Sequence, residues 1–260
     1  MEGVALPVGL VAGLVCGVAF LYSSVGFGGA SSYLAVMSLF AVPAETASTT
    51  ALGLNILVAG TAFINYYRHG HFVPRLLWPF LLTSVPAAFI GGMLHVSQPL
   101  YQALLHFTLL YVGLRILLFP AVRNHNGGTI AGWVEGAPPR IWVAMLVGGG
   151  VGLLSGIVGI GGGIFLSPLI LLMGWGNAKQ ASTSAAAFIV INSLSGLVGR
   201  ALGQRLDFGL LGPVLIPSGV VGALVGSFWG ARYLSHRGVE RILGSLILLV
   251  VARYLVGLLF

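Results

Sequence analysis

From Val4 to Ser24 the chain carries no charged side chain. Similar uncharged or nearly uncharged runs recur along its length. They cover Thr46–Tyr67, Leu76–Leu94, Tyr101–Phe119, Ile141–Val158, Gln180–Gly199, Phe208–Gly230 and Ile242–Phe260, with shorter runs at Gly28–Val42 and Gly162–Trp175. A membrane span needs ~20 apolar residues, and most of these runs meet that length. The first is too long for a usual signal-peptide core, and Glu2 stands where a basic start would be. Backbone groups in lipid must be satisfied within the segment, which predicts helices. A β-barrel would show alternating strands of ~10 residues instead. The expected fold is an all-α polytopic membrane protein.

Composition supports this. Charged residues are 7% of the chain, against ~25% in a soluble domain. The 12 Lys and Arg and 5 Asp and Glu cannot cover a water-facing surface. A soluble enzyme, a disulfide scaffold and a disordered chain are excluded. Cys16 is the lone cysteine. The +7 net charge is scattered singly between the runs, so it reads as a topology signal and not as a nucleic-acid footprint.

The ten runs fall five on each side of one polar stretch, Ala121 to Arg140, which holds Gly127-Gly128 and Pro138-Pro139. This gives an N-terminal repeat over 1–120, a linker over 121–140 and a C-terminal repeat over 141–260. The halves match in sequence. Val25-Gly26-Phe27-Gly28-Gly29-Ala30 corresponds to Val158-Gly159-Ile160-Gly161-Gly162-Gly163, and Ala47-Ser48-Thr49-Thr50-Ala51 to Ala181-Ser182-Thr183-Ser184-Ala185. Ser84–Gly92 lies opposite Ser218–Ser227 at a nearly constant offset. Such repeats are frequent in secondary transporters, with the site between the halves. With all ten segments crossing, most basic residues fall on one side, while Arg200 and Arg205 fall on the other. That distribution favours an inverted repeat over a parallel one.

Glycine is abundant, 40 of 260 residues. Gly26, Gly28 and Gly29, and Gly159, Gly161, Gly162 and Gly163, cluster where a long run meets a short one. Glycine weakens a helix by roughly 1 kcal/mol against Ala. Two readings fit: small-residue helix packing, or a break that leaves the next half-helix with free N–H groups for an anion. Ser48, Thr49 and Thr50, and Ser182, Thr183 and Ser184, open the following helices, with Asn55, Gln180, Asn192 and Ser24 as further polar groups. They either cap and back-bond their own helices or donate to a bound oxyanion. Arg115 and Arg253 can snorkel. Glu45 and Asp207 read as capping groups, and His95 and His106 as packing residues more than proton carriers. No His or acidic pattern suggests a metal, and no cofactor motif is present; the glycine runs lack the strand and acidic residue of a dinucleotide site.

The run Gly159 to Leu169 (GIGGGIFLSPL), followed by Gln180-Ala181-Ser182-Thr183-Ser184, resembles the second-half signature of the TauE/SafE family of sulfite exporters and sulfonate permeases. Val25–Ser32 and Ala47–Ala51 resemble its weaker first-half partner, departing from it over Phe27-Gly28-Gly29-Ala30-Ser31-Ser32, where members often carry a G-x-G-G-G run followed by an apolar residue. The resemblance implies a multi-pass protein of bacterial or archaeal inner membranes that moves small sulfur-containing anions, and no enzyme. An alternating-access carrier is expected, with an anion channel as the alternative. An intramembrane hydrolase is disfavoured because Leu153 replaces the glycine expected two residues before Ser155. The partners expected are a small anion and the lipid bilayer, no nucleic acid, with a homodimer left open.

Overall fold

The structure is a computed structural model that describes residues 8–25, 30–118, 140–173, 175–226 and 236–259. Every regular element among the described residues is helical. In chain order these are α1 (Val8–Val25), α2 (Ala30–Leu39), α3 (Ala44–Arg68), α4 (Pro74–Met93), α5 (Gln98–Leu118), α6 (Ile141–Val158), α7 (Gly163–Leu172), α8 (Ala178–Leu202), α9 (Gly212–Val225) and α10 (His236–Leu259). Each sequence run therefore has its helix. Among the described residues, five are long and apolar enough to cross a membrane: Ala44–Arg68, Pro74–Met93, Gln98–Leu118, Ile141–Val158 and Lys179–Leu202. The linker expected at 121–140 lies outside the described residues, save Arg140.

The two short segments differ from simple spans. At 1.5 Å per residue, the ten residues of α2 or α7 reach about 15 Å, half of the ~30 Å hydrocarbon core. Neither crosses by itself.

Helix packing is set by small residues. A Cβ built on Gly148, Gly152 or Gly156 of α6 would lie 2.4, 2.3 or 2.1 Å from the carbonyl oxygens of Phe80, Ser84 and Ala88 of α4. These glycines recur every four residues, so they lie along one face of the helix, and side chains there would hold the backbones apart. The contacts advance together along both chains, so α4 and α6 run parallel. Gly222 and Gly226 meet the Cys16 and Phe20 carbonyls in the same sense, so α1 and α9 also run parallel. On the other face of α4, Gly199 meets Phe89 and Gly203 meets Met93, which makes α8 parallel to α4. Hydroxyls bridge the same seams: Thr83 donates to the Met145 carbonyl at 2.6 Å, Ser195 to Val85 at 2.6 Å, and Ser23 to Ala223 at 2.7 Å. By contrast, Leu52 faces Gly196 while Gly60 faces Val190. The central pair α3 and α8 therefore run antiparallel.

The start of α8 shows why it begins where it does. Asn177 accepts from the Gln180 N–H at 3.0 Å and Gln180 Oε1 accepts from the Asn177 N–H at 3.0 Å, a reciprocal capping box. Asn177→Ala is expected to lower stability by about 1 kcal/mol, read as a lower Tm in detergent. An unchanged Tm would show that the box contributes nothing.

Candidate functional site: the glycine turn and its polar wall

Helix α6 ends at a left-handed residue, Gly159 (φ 93°), and α7 begins after another, Gly162 (φ 79°). Gly161 between them also has φ 79°. L side chains rarely adopt this region, so the glycines allow the chain to reverse within the protein interior. α7 then starts with Gly163 against the Ala185 carbonyl and Ile189 of α8. Ile189 lies about 16 Å along α8 from Ala178, about half of the hydrocarbon thickness. The N-terminus of α7 thus packs near the middle of α8.

The wall opposite this turn comes from both halves of the chain. Asn55 of α3 donates through Nδ2 to the Gly159 carbonyl at 3.2 Å. A Cβ on Gly161 would stand 2.8 Å from Ile189 Cγ2, 2.9 Å from Asn55 Nδ2 and 3.2 Å from Ser193 Oγ. Gly159 rests on Ser48, with its built Cβ 2.7 Å from the Ser48 carbonyl oxygen. Asn192 donates back to the Phe188 carbonyl at 2.9 Å.

Polar side chains of this wall, and of the neighbouring turns of α3, α6 and α8, are buried with atoms left unpartnered among the described residues. Thr49, Thr50, Asn55, Ser184, Asn192 and Ser193 are fully buried, and Ser155 nearly so. The hydroxyls of Thr49, Thr50, Ser155, Ser184 and Ser193 have no hydrogen-bond partner within the protein, nor have the side-chain carbonyls of Asn55 and Asn192. Each buried unpaired polar group costs roughly 1–3 kcal/mol. Several on facing helices point to something else that satisfies them.

Other sequence candidates are placed differently. Gln180 is used in the capping box. Ser48 donates to the Ala44 carbonyl at 2.5 Å and Thr183 to Lys179 at 2.6 Å, bonds back along their own helices. Ser182 is half-buried at the same helix start. Gly26, Gly28 and Gly29 lie outside the described residues, as does the side chain of Ser24.

Sequence reasoning missed two residues. Ser193 completes an Asn-Ser pair inside an otherwise apolar run, a signal that was present. Arg200 was expected beyond the end of a span. It is instead inside α8 and 0% exposed. Its Nη2 donates to the Gly156 and Ile157 carbonyls of α6 at 3.0 and 2.8 Å. Arg200 thus ties the end of α6 to α8 just ahead of the glycine turn. Nearby, Arg205 pairs with Glu45 at 3.0 Å and donates to the Leu94 carbonyl. Thr46 donates to Asp207 at 2.5 Å. These contacts fasten the α8–α9 loop to the start of α3.

Residues 9–254 match the family described as "Sulfite exporter TauE/SafE". Among curated proteins, the chain is 31% identical over 236 residues to "Probable membrane transporter protein y4hK" of Sinorhizobium fredii, covering 89% of this chain and 91% of that one. It is 28% identical over 249 residues to "Probable membrane transporter protein ORF9" of Sinorhizobium sp, covering 93% and 88%. A third relative, "Probable membrane transporter protein YdhB" of Bacillus subtilis, is 23% identical over 216 residues, covering 80% and 83%. No solved structure matches.

Proposed function

Because the chain belongs to the TauE/SafE family of membrane transporters, we propose that it carries a small sulfur oxyanion or organosulfonate, such as sulfite, by alternating access. The observation that carries this reading is the polar wall at the glycine turn. Ser193 beside Gly161, with Thr49 and Thr50 of α3 and Ser184 of α8, is fully buried with a hydroxyl that has no partner among the described residues. An anion leaving water must replace its hydration with donors. Hydroxyls and the positive end of α7 supply them near the middle of α8, where the half-helix dipole favours negative charge.

The opposed directions of α3 and α8 support an inverted relation between residues 1–120 and 141–260. In that arrangement the wall lies between two halves that rock about it. A carrier of this kind needs no catalytic residue, metal or cofactor. The family also supports residence in a bacterial or archaeal inner membrane.

The test is uptake of radiolabelled sulfite into proteoliposomes with counterflow by unlabelled sulfite. Saturable counterflow is expected. Single-channel conductance without counterflow would replace the carrier with a channel, and no flux of sulfite, thiosulfate or taurine would sink the reading. Ser193→Ala removes a hydroxyl donor. A hydrogen bond to a charged group is worth about 1.5–3 kcal/mol, so half-saturation should rise roughly ten- to a hundredfold. A wild-type value would remove Ser193 from the site.

A further inference from the structure

The chain spends very little charge inside its helices, which makes Arg200 conspicuous. It is the largest fully buried side chain among the described residues. Two of the carbonyls that end α6 take its Nη2, a favourable place for a cation at a helix C-terminus. That capping role accounts for one nitrogen. Nε and Nη1 are buried and have no hydrogen-bond partner within the protein. No carboxylate pairs with it directly among the described residues: Glu45 pairs with Arg205 and reaches Arg200 only as a weaker attraction, while Arg205 adds further positive charge nearby. An ionised group buried without a counter-charge is strongly disfavoured.

Tyr101 of α5 is 4% exposed, its hydroxyl buried without a hydrogen-bond partner among the described residues and close to Ser48 and Arg200. Ser48 in turn supports Gly159, the first residue of the glycine turn. Arg200, Tyr101 and Ser48 therefore form a buried group beside the end of α6 and the first residue of the glycine turn.

We infer that Arg200 is the fixed positive charge through which this protein distinguishes anions from neutral molecules of the same shape, holding the anion at Nε and Nη1 beside Tyr101. The inference rests on the small-anion reading above and assigns its charge selectivity to one residue. The hydroxyls and amides of the wall then set shape, while Arg200 sets sign. Guanidinium suits this task because it stays charged at any working pH and offers directional donors to oxyanions.

The experiment compares methanesulfonate with methanesulfonamide, which are nearly isosteric and differ in charge, together with sulfite. Ligand-induced thermal stabilisation of purified protein in detergent is the readout. Wild type is expected to be stabilised by methanesulfonate and sulfite and not by methanesulfonamide. Arg200→Gln should lose this preference, whereas a purely structural loss would leave the ratio between the two ligands unchanged. Arg200→Lys keeps the charge and should keep the preference with half-saturation raised about tenfold, since a point charge replaces a directional donor set. Wild-type preference in Arg200→Gln overturns the inference, as does equal or absent response to both ligands in wild type. Should Arg200→Gln fail to fold, an unchanged half-saturation in Arg200→Lys overturns it instead. An anion that stabilises the protein through Arg200 and is never taken up by proteoliposomes would sink the transport reading and leave this assignment standing.

Discussion

Sulfite uptake by a Gly161→Val protein is expected to fall at least about a hundredfold while the protein still inserts and purifies. Three effects converge at this position. The residue has φ 79°, where a β-branched side chain is a strained outlier, at roughly 1–2 kcal/mol for leaving the right-handed region. The new Cβ would stand 2.8 Å from Ile189 and 2.9 Å from the Asn55 amide, and overpacking of this kind costs about 1–3 kcal/mol. Relief requires moving the Asn55 amide or the Ser193 hydroxyl, the groups proposed to meet the anion. About 2.8 kcal/mol lost from binding or its transition state is a factor of ~100. Gly150→Ala is the control. A Cβ there meets nothing within 4 Å, so flux should be unchanged and stability equal or slightly higher. Wild-type flux in Gly161→Val would remove the turn from the transport path.

Gly156→Val is expected to have the larger effect on folding itself. Its Cβ would lie 2.1 Å from the Ala88 carbonyl oxygen and 2.7 Å from the Gly92 N–H nitrogen. Both are backbone atoms in the last turns of α4 and cannot rotate away. The helices must separate, which opens the Gly148–Gly152–Gly156 seam and withdraws the carbonyls that hold Arg200. A destabilisation above about 3 kcal/mol is expected, seen as loss of a monodisperse peak in size exclusion and a sharply lower Tm. A monodisperse protein with wild-type Tm would show that the seam is looser than its close approaches require. The contrast with Gly161→Val separates the two jobs of glycine: one variant loses flux and keeps the fold, the other loses the fold.

The sequence alone could not separate those jobs. Gly152 and Gly161 are both glycines at or near the end of an apolar run. What distinguishes them is whether a neighbouring backbone lies against the missing Cβ or the chain turns left-handed. Likewise the hydroxyl clusters looked equivalent. In the structure Thr183 bonds back to Lys179, whereas Ser184, one residue on, is buried without a protein partner. Rotation about a helix is 100° per residue, so adjacent hydroxyls meet different neighbours, and only packing says which.

What the sequence by itself determined is the class and the frame. Long uncharged runs must be helices in lipid, because no water is there to satisfy the backbone. The run Ile141–Val158 became α6 residue for residue, and the glycine motif fixed both the position of the break and the family. What only the tertiary structure decided is the fate of charge. Arg200 stands two residues from the end of α8, where a sequence reading places it in water. Helical side chains lean toward the N-terminus of their own helix, so the guanidinium reaches inward, and the parallel packing of α6 beside α8 puts two orphan carbonyls under it. Burial is a property of neighbours, and the neighbours of Arg200 lie more than forty residues away in the chain.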